Sequence, residues 1–127
     1  WRLTLAVGEH VPLHCTASGK LFLAHLPPKQ REPLLAQLNL KPMTGNTLTS
    51  VTALQAECDA IAAAGYAVDR EEFIEGLLAL AVPVRDPEGT VRAALAVHAP
   101  RSRLSFEQAL ERLPAMQAAA EKMSRLL

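Results

Sequence analysis

A thiol beside an imidazole, Cys15 after His14, is the first place in this sequence where residue types suggest chemistry, because a cysteine nucleophile works with a histidine base. Adjacency argues against that pairing. Neighbours in sequence rarely aim their side chains at each other, and catalytic partners usually come from distant segments. Cys15 is therefore expected to be a small packed residue, with His14 hydrogen-bonded near the start of the helix that follows. A second cluster, Asp69, Glu71 and Glu72 with Glu75 close by, has the residue types of a metal or acid/base site but reads more simply as a solvated edge. His98 lies in a run of alanines and is either a core histidine bonded to a carbonyl or a ligand contact. His10 and His25 read as surface residues. The sequence holds no glycine-rich phosphate loop, no His-Glu-x-x-His and no Ser-His-Asp pattern with supporting context. No catalytic residue, metal ligand or cofactor is assigned.

The elements that must position these residues follow from periodicity and caps. Trp1 to Val7 alternates as a strand, and the chain begins inside it without Met, which reads as a truncation. Thr16 is placed to cap a helix reaching about Leu26, and Pro27 and Pro28 stop that helix and start a second one to about Leu38. Asn39 to Leu48 is a loop rich in Pro, Gly, Thr and Asn, expected at the surface or over a site. Ser50 caps a third helix with Val51, Leu54, Cys58 and Ile61 at helical spacing, closed by Gly65. Tyr66 to Arg70 reads as a strand. After an acidic link, Leu77 to Arg85 and Thr90 to His98 form a hairpin around Asp86-Pro87-Glu88-Gly89, which fits a type I turn residue by residue. From Ser105 onward the apolar spacing predicts one long amphipathic helix, kinked at Pro114. Strands at both ends of a helical middle predict an α+β fold with an antiparallel sheet.

The hairpin suggests a concavity. Pairing Arg85 with Thr90 puts Ala81 opposite Ala94, Ala79 opposite Ala96 and Leu77 opposite His98, all on one face. The other face carries Leu78, Leu80, Val82 and Val84 against Val91, Ala93, Leu95 and Val97. A methyl-lined face leaves volume that something must fill, because interiors pack densely. Either a helix backbone comes close over the alanines, or a ligand does. The free N–H groups at Thr16 to Gly19, with small side chains around them, are of the kind that receives a carboxylate.

Composition limits the partners. With 127 residues, one compact domain is expected, and half the residues are hydrophobic, as in an ordinary globular protein. Thirteen basic side chains balance thirteen acidic ones, so the excess of positive charge that grips nucleic acid is missing. Two cysteines far apart indicate neither a disulfide framework nor a zinc site, which suits a reducing cytoplasm. No apolar run reaches the ~18 residues of a membrane span, and no signal pattern opens the chain.

Five motifs, in order, resemble the effector-binding domain of IclR-type transcriptional regulators over nearly the whole chain. They are Pro12-Leu13-His14-Cys15-Thr16-Ala17-Ser18-Gly19-Lys20, Thr44-Gly45-Asn46-Thr47-Leu48-Thr49, Gly65-Tyr66-Ala67-Val68-Asp69-Arg70-Glu71-Glu72, Gly76 with the hairpin, and Ala99-Pro100-Arg101-Ser102-Arg103-Leu104. The resemblance implies a GAF-like domain, here without its N-terminal strands, as the single partial domain of residues 1–127. It implies homodimers or homotetramers, and DNA contact only through a winged helix-turn-helix that this chain lacks. By the same resemblance a small carboxylated effector lies on the backbone amides of Ala17 and Ser18, on Asp69, and on Leu77, Ala79, Ala96 and His98, with Leu3 and Val11 as apolar walls. Ala79 and Ala96 stand where some relatives carry Cys or Ser, which implies a wider, less polar pocket and an effector with an aromatic or larger apolar body. The resemblance and the hairpin reading converge on a ligand cavity beneath the alanines. The competing readings are a small enzyme acting on a carboxylated metabolite and a ligand-free oligomerisation module. A sheet edge left open at the start of the chain also predicts association of the isolated fragment.

Overall fold

The computed structural model describes residues 11–127. The expectations for the Trp1 strand, for Leu3 and for His10 fall outside them. The element order is α1 (Ala17–Ala24), α2 (Pro28–Gln37), α3 (Val51–Ala64), β1 (Ala67–Arg70), β2 (Leu77–Arg85), β3 (Val91–Pro100), α4 (Phe106–Leu110) and α5 (Leu113–Ser124). The three strands form one antiparallel sheet in the order β1-β2-β3. Helices α1 and α3 cover one face, and α4 and α5 cover the other. This is the expected α+β class.

The helix boundaries follow their local chemistry. Thr16 is the N-cap of α1, accepting the Gly19 N–H at 3.1 Å, and Ser50 caps α3 by accepting from Ala53 at 3.1 Å. Gly65 ends α3 in the left-handed region at φ 83°, where a side chain would be strained. Leu54, Cys58 and Ile61 form the buried stripe of α3, while Val51 at its start is exposed. The single kinked terminal helix is not formed. Pro114 sits in the first turn of a separate helix, α5, and α4 before it is held by a capping box between Ser105 and Gln108. The missing proline N–H is harmless at a helix start, so breaking the helix costs less than kinking it.

The hairpin turn is as expected, but its register is not. Gly89 N–H donates to Asp86 O at 2.9 Å, closing the type I turn. Gly89 then adopts φ 85°, and Asp86 N–H donates to Thr90 O, so Arg85 pairs with Val91 and not with Thr90. An irregularity between Val84 and Arg85 adds a second residue of slip. Ala79 therefore faces His98, Ala81 faces Ala96, Pro83 faces Ala94, and Leu77 faces Pro100. A slip of two residues leaves every side chain on its expected face, because the pleat repeats every two.

Candidate functional site

Adding β1 completes two rows across the face that α1 covers: Ala67-Ala81-Ala96, and Asp69-Ala79-His98. The alanines let α1 come close. Ala17, Leu21 and Ala24 of that helix are buried in one cluster with Ala67, Ala79 and Ala81, and Ala96 packs against it. Gly19 completes the approach on the far side of α1: a Cβ there would lie 2.5 Å from Leu13 O and 2.6 Å from Leu13 Cα. The volume above Ala79 and Ala81 is thus taken up by the chain's own helix, the first of the two alternatives open in the sequence, and the cavity expected under the paired alanines is not what this stretch of β2 forms. Among the described residues, Ala96 of β3 is half-buried and Ala94 and His98 are exposed. Ser18 is half-buried and Val11 is exposed.

The expected site residues therefore divide. Ala17, Ala79 and Leu77 are buried, at 1, 3 and 2% exposure, and serve as packing. Ala17 and Ser18 also carry the first two amides of α1, which have no acceptor within a helix, whereas the amides of Gly19 and Lys20 bond to Thr16. Asp69 is buried, and its Oδ1 accepts the Glu72 N–H at 2.7 Å. Burial raises the Asp69 carboxyl to about pKa 6, with the nearby Glu72 pushing the same way and the amide hydrogen bond and Lys20 opposing. His98 is exposed by area, yet enough protein surrounds its ring to hold its pKa below the ordinary imidazole value, which favours the neutral ring.

Two expectations for the chemistry-bearing residues need correction. Glu72 is not on a solvated edge; it is 5% exposed and bound by the buried ammonium of Lys20. Half-buried His25 is not a free surface residue, since its Nδ1 lies 2.8 Å from Leu21 O. The expectations for His14 and Cys15 hold: His14 Nε2 is 2.8 Å from Lys41 O, and Cys15 is fully buried. Burial pushes the Cys15 thiol up to about pKa 11, with Asp69 and Glu72 adding to the effect, so it is protonated at neutral pH and unsuited to attack as a thiolate.

The sequence reading missed Lys20 altogether. Its Nζ has no exposure and reaches Val68 O at 2.6 Å, Glu57 Oε2 at 2.7 Å, and the two Glu72 oxygens at 2.9 and 3.0 Å. Glu72 Oε2 accepts the Arg70 N–H at 3.0 Å, and Asn46 Nδ2 donates to Arg70 O at 3.0 Å. Side chains thus occupy three backbone groups on the outer edge of β1. The Thr44-Gly45-Asn46-Thr47 loop completes the arrangement, with Thr47 Oγ1 donating to Glu72 O and Thr44 Oγ1 to Glu71 O. The signal was present in the spacing: Ala17, Lys20, Leu21 and Ala24 are the buried stripe of α1 at helical intervals.

A groove of about 600 Å³ lies outside β1, lined by Asn46, Glu57, Ile61, Tyr66, Arg70 and others, and contains none of the expected effector residues. Among the described residues no group of three or more His, Cys, Asp or Glu side chains is arranged to hold a metal ion. No helix among them is long and apolar enough to cross a membrane.

Comparison with known proteins bears on this geometry. Residues 1–125 match the family described as bacterial transcriptional regulator IclR C-terminal. The probable transcriptional regulator SauR of Cupriavidus necator is 41% identical over 122 residues, covering 96% of this chain and 48% of that protein. The crystal structure of the Thermotoga maritima IclR superposes with a TM-score of 0.90 at 34% identity, over 98% of this chain and 51% of that one. A double mutant of the PobR inducer-binding domain from Acinetobacter, solved with 3-hydroxybenzoic acid, gives a TM-score of 0.92 at 26% identity, over 99% of this chain and 74% of that one. The chain spans about half the length of the curated relatives it matches.

Proposed function

This chain belongs to the bacterial IclR C-terminal family of transcriptional regulators, and from that premise we propose that it binds a small carboxylated effector with an aromatic or larger apolar body. Binding shifts the parent regulator between two arrangements, which requires a different affinity for each. DNA contact belongs to a winged helix-turn-helix outside this chain, and the domain associates as a homodimer or homotetramer. Its role is regulatory and not enzymatic.

One feature supports the reading: the amides of Ala17 and Ser18 open α1 without acceptors inside the helix, and we take the part-exposed stretch of β3 over Ala96 to His98 as the lane for the effector body. A carboxylate on those amides gains from the helix dipole, while the lane takes an apolar body. Asp69, on β1 opposite Ala79 of β2, adds a buried carboxyl whose pKa burial raises to about 6. The inducer-binding domain of PobR, with its hydroxylated aromatic acid, is a similar fold with a ligand of this class.

Calorimetry with benzoate, 3-hydroxybenzoate and short aliphatic acids tests the proposal. The aromatic acids should bind more tightly. Ser18→Asp places a competing carboxylate at the amides and should weaken binding at least ~10-fold while leaving α1 as stable as before, since an acidic residue suits a first turn. Preference for the short acids overturns the size argument, and unchanged affinity in Ser18→Asp overturns the carboxylate position.

A further inference from the structure

We propose that Lys20 is a positioning residue for the effector mouth, an internal latch that fixes the amides of Ala17 and Ser18 relative to Asp69. The proposal rests on the effector reading for its consequence but on separate observations for its geometry.

Lys20 is one turn beyond the opening of α1, its backbone N–H on Thr16 O at 2.9 Å, so its backbone belongs to the turn that presents the amides. Its ammonium binds three other elements at once: Glu57 of α3, Val68 of β1 and Glu72 of the link to β2. Glu72 in turn gives its backbone N–H to Asp69 Oδ1. The chain of contacts Lys20, Glu72, Asp69 therefore runs unbroken from the helix that presents the amides to the carboxyl on the sheet. Every buried side-chain polar atom among the described residues has a partner, so all the groups of the cluster are satisfied in this geometry. A buried ion pair adds little net stability compared with apolar packing of the same shape, which makes a role in fixing geometry the more economical account of this one. The far end of α1 has its own polar tie, since Arg31 Nη1 donates to Ala24 O at 3.2 Å and Arg31 Nη2 to Asp59 Oδ1 at 2.9 Å, so Lys20 supplies the corresponding tie near the opening of the helix.

The groups facing Asp69 are Glu72 from the link, Lys20 from α1 and Cys15 from the segment before it. Removing the ammonium leaves a second carboxylate beside Asp69 without its counter-charge. The Asp69 titration midpoint should then move above about 6, because Lys20 is among the causes that hold it down.

The test uses Lys20→Met and the milder Glu57→Gln, the latter removing a partner that is one-third exposed. Proton–nitrogen correlation spectra report the Ala17 and Ser18 amides, carboxyl-carbon titration reports Asp69, and benzoate affinity is measured well below each melting temperature. Expected are displaced Ala17 and Ser18 amide resonances in both variants, larger in Lys20→Met, with an upward shift of the Asp69 midpoint in Lys20→Met. Benzoate affinity should fall at least ~10-fold in Lys20→Met. A purely structural lysine would lower the melting temperature yet leave amide positions and affinity of the folded protein unchanged, and that result overturns the proposal. If Lys20→Met fails to fold, undisturbed Ala17 and Ser18 amides in Glu57→Gln overturn it equally. If the unmodified domain binds no benzoate, the effector reading fails for that acid, and the amide displacements alone decide the latch.

Discussion

The two faces of β2 are built from opposite materials. Leu77, Ala79, Ala81 and Pro83 alternate onto one face, where Ala79 and Ala81 pack against α1, whereas Leu78, Leu80, Val82 and Val84 take the other, where Leu80, Val82 and Val84 pack against α4 and α5. Small residues on the first side bring a helix close and enclose polar groups, Lys20, Asp69 and Glu72, each with fixed partners. On the second side Leu80, Val82 and Val84 meet Ala109, Met116 and Ala120 in a wholly apolar cluster. The difference separates two tasks within one strand. The bulky side supplies the apolar burial that drives folding, and the small side encloses dipoles and charges placed by their mutual hydrogen bonds.

The largest expected effect lies on the bulky side. Leu80 is 3% exposed at the centre of that cluster, so Leu80→Ala should cost ~2–5 kcal/mol in denaturant unfolding, from lost transfer energy plus a cavity. Benzoate affinity of the protein that remains folded should be unchanged. A loss of affinity as large as the loss of stability would show that the two sides are not separate.

Asp69 should give the next largest effect, visible as pH dependence. Its folded carboxyl keeps its proton up to about pH 6, against an ordinary 3.8, so the folded state binds more protons between those values than the unfolded one. Its contribution is therefore most favourable at low pH and is lost as pH rises through about 6, by at most ~3 kcal/mol. Subtracting the stability profile of Asp69→Asn from that of the unmodified protein isolates this slope. A flat difference between pH 4 and 7 would mean that Asp69 is better solvated than its 1% exposure indicates.

Gly19→Ala comes third. Ala is the better helix former by about 1 kcal/mol, which alone would stabilise α1. Here the added methyl would sit 2.5 Å from Leu13 O and 2.6 Å from Leu13 Cα, both backbone atoms that cannot turn aside. Overpacking of this kind costs ~1–3 kcal/mol, so net destabilisation is expected, together with weaker effector binding because the opening turn of α1 must shift. Thermal unfolding and calorimetry on one sample check both.

How far the sequence reveals this division depends on the range of the interactions. The caps Thr16, Ser50 and Gly65 and the Asp86 to Gly89 turn were legible because each is settled within four residues of chain. The faces of β2 were legible too, since alternation survives any even slip. The register itself was not, because a left-handed Gly89 and an irregularity beside Arg85 each add a residue that no pattern of apolar side chains announces. Lys20 drew no reading of its own and Glu72 read as part of a solvated edge, because their burial depends on each other and on Glu57, a meeting of three distant segments. The single terminal helix was misread because a proline at an interior position and a proline at a new N-terminus look alike until the preceding turn is known. For the candidate site, the amides of α1 were legible from its cap, while the filling of the space over Ala79 and Ala81 depended on where α1 lands.

The smallest effect should come from the edge of the bulky side, at Ser105. Its side chain accepts the Gln108 N–H at 3.1 Å while Gln108 Oε1 accepts the Ser105 N–H at 2.9 Å, so two otherwise orphaned amides are satisfied together. Ser105→Ala removes one of these bonds and should cost about 1 kcal/mol, because the site is exposed and water replaces part of what is lost. The α4 helix has only five residues and contributes Ala109 to the apolar cluster, so its fraying should loosen that corner without reaching α1. Hydrogen exchange should therefore quicken at Gln108 and Ala109 but not at Leu21 or Leu23, and effector affinity should stay constant. Faster exchange in α1 would mean that β2 transmits changes from one face to the other, and the separation of tasks drawn above would have to be replaced by a coupled core.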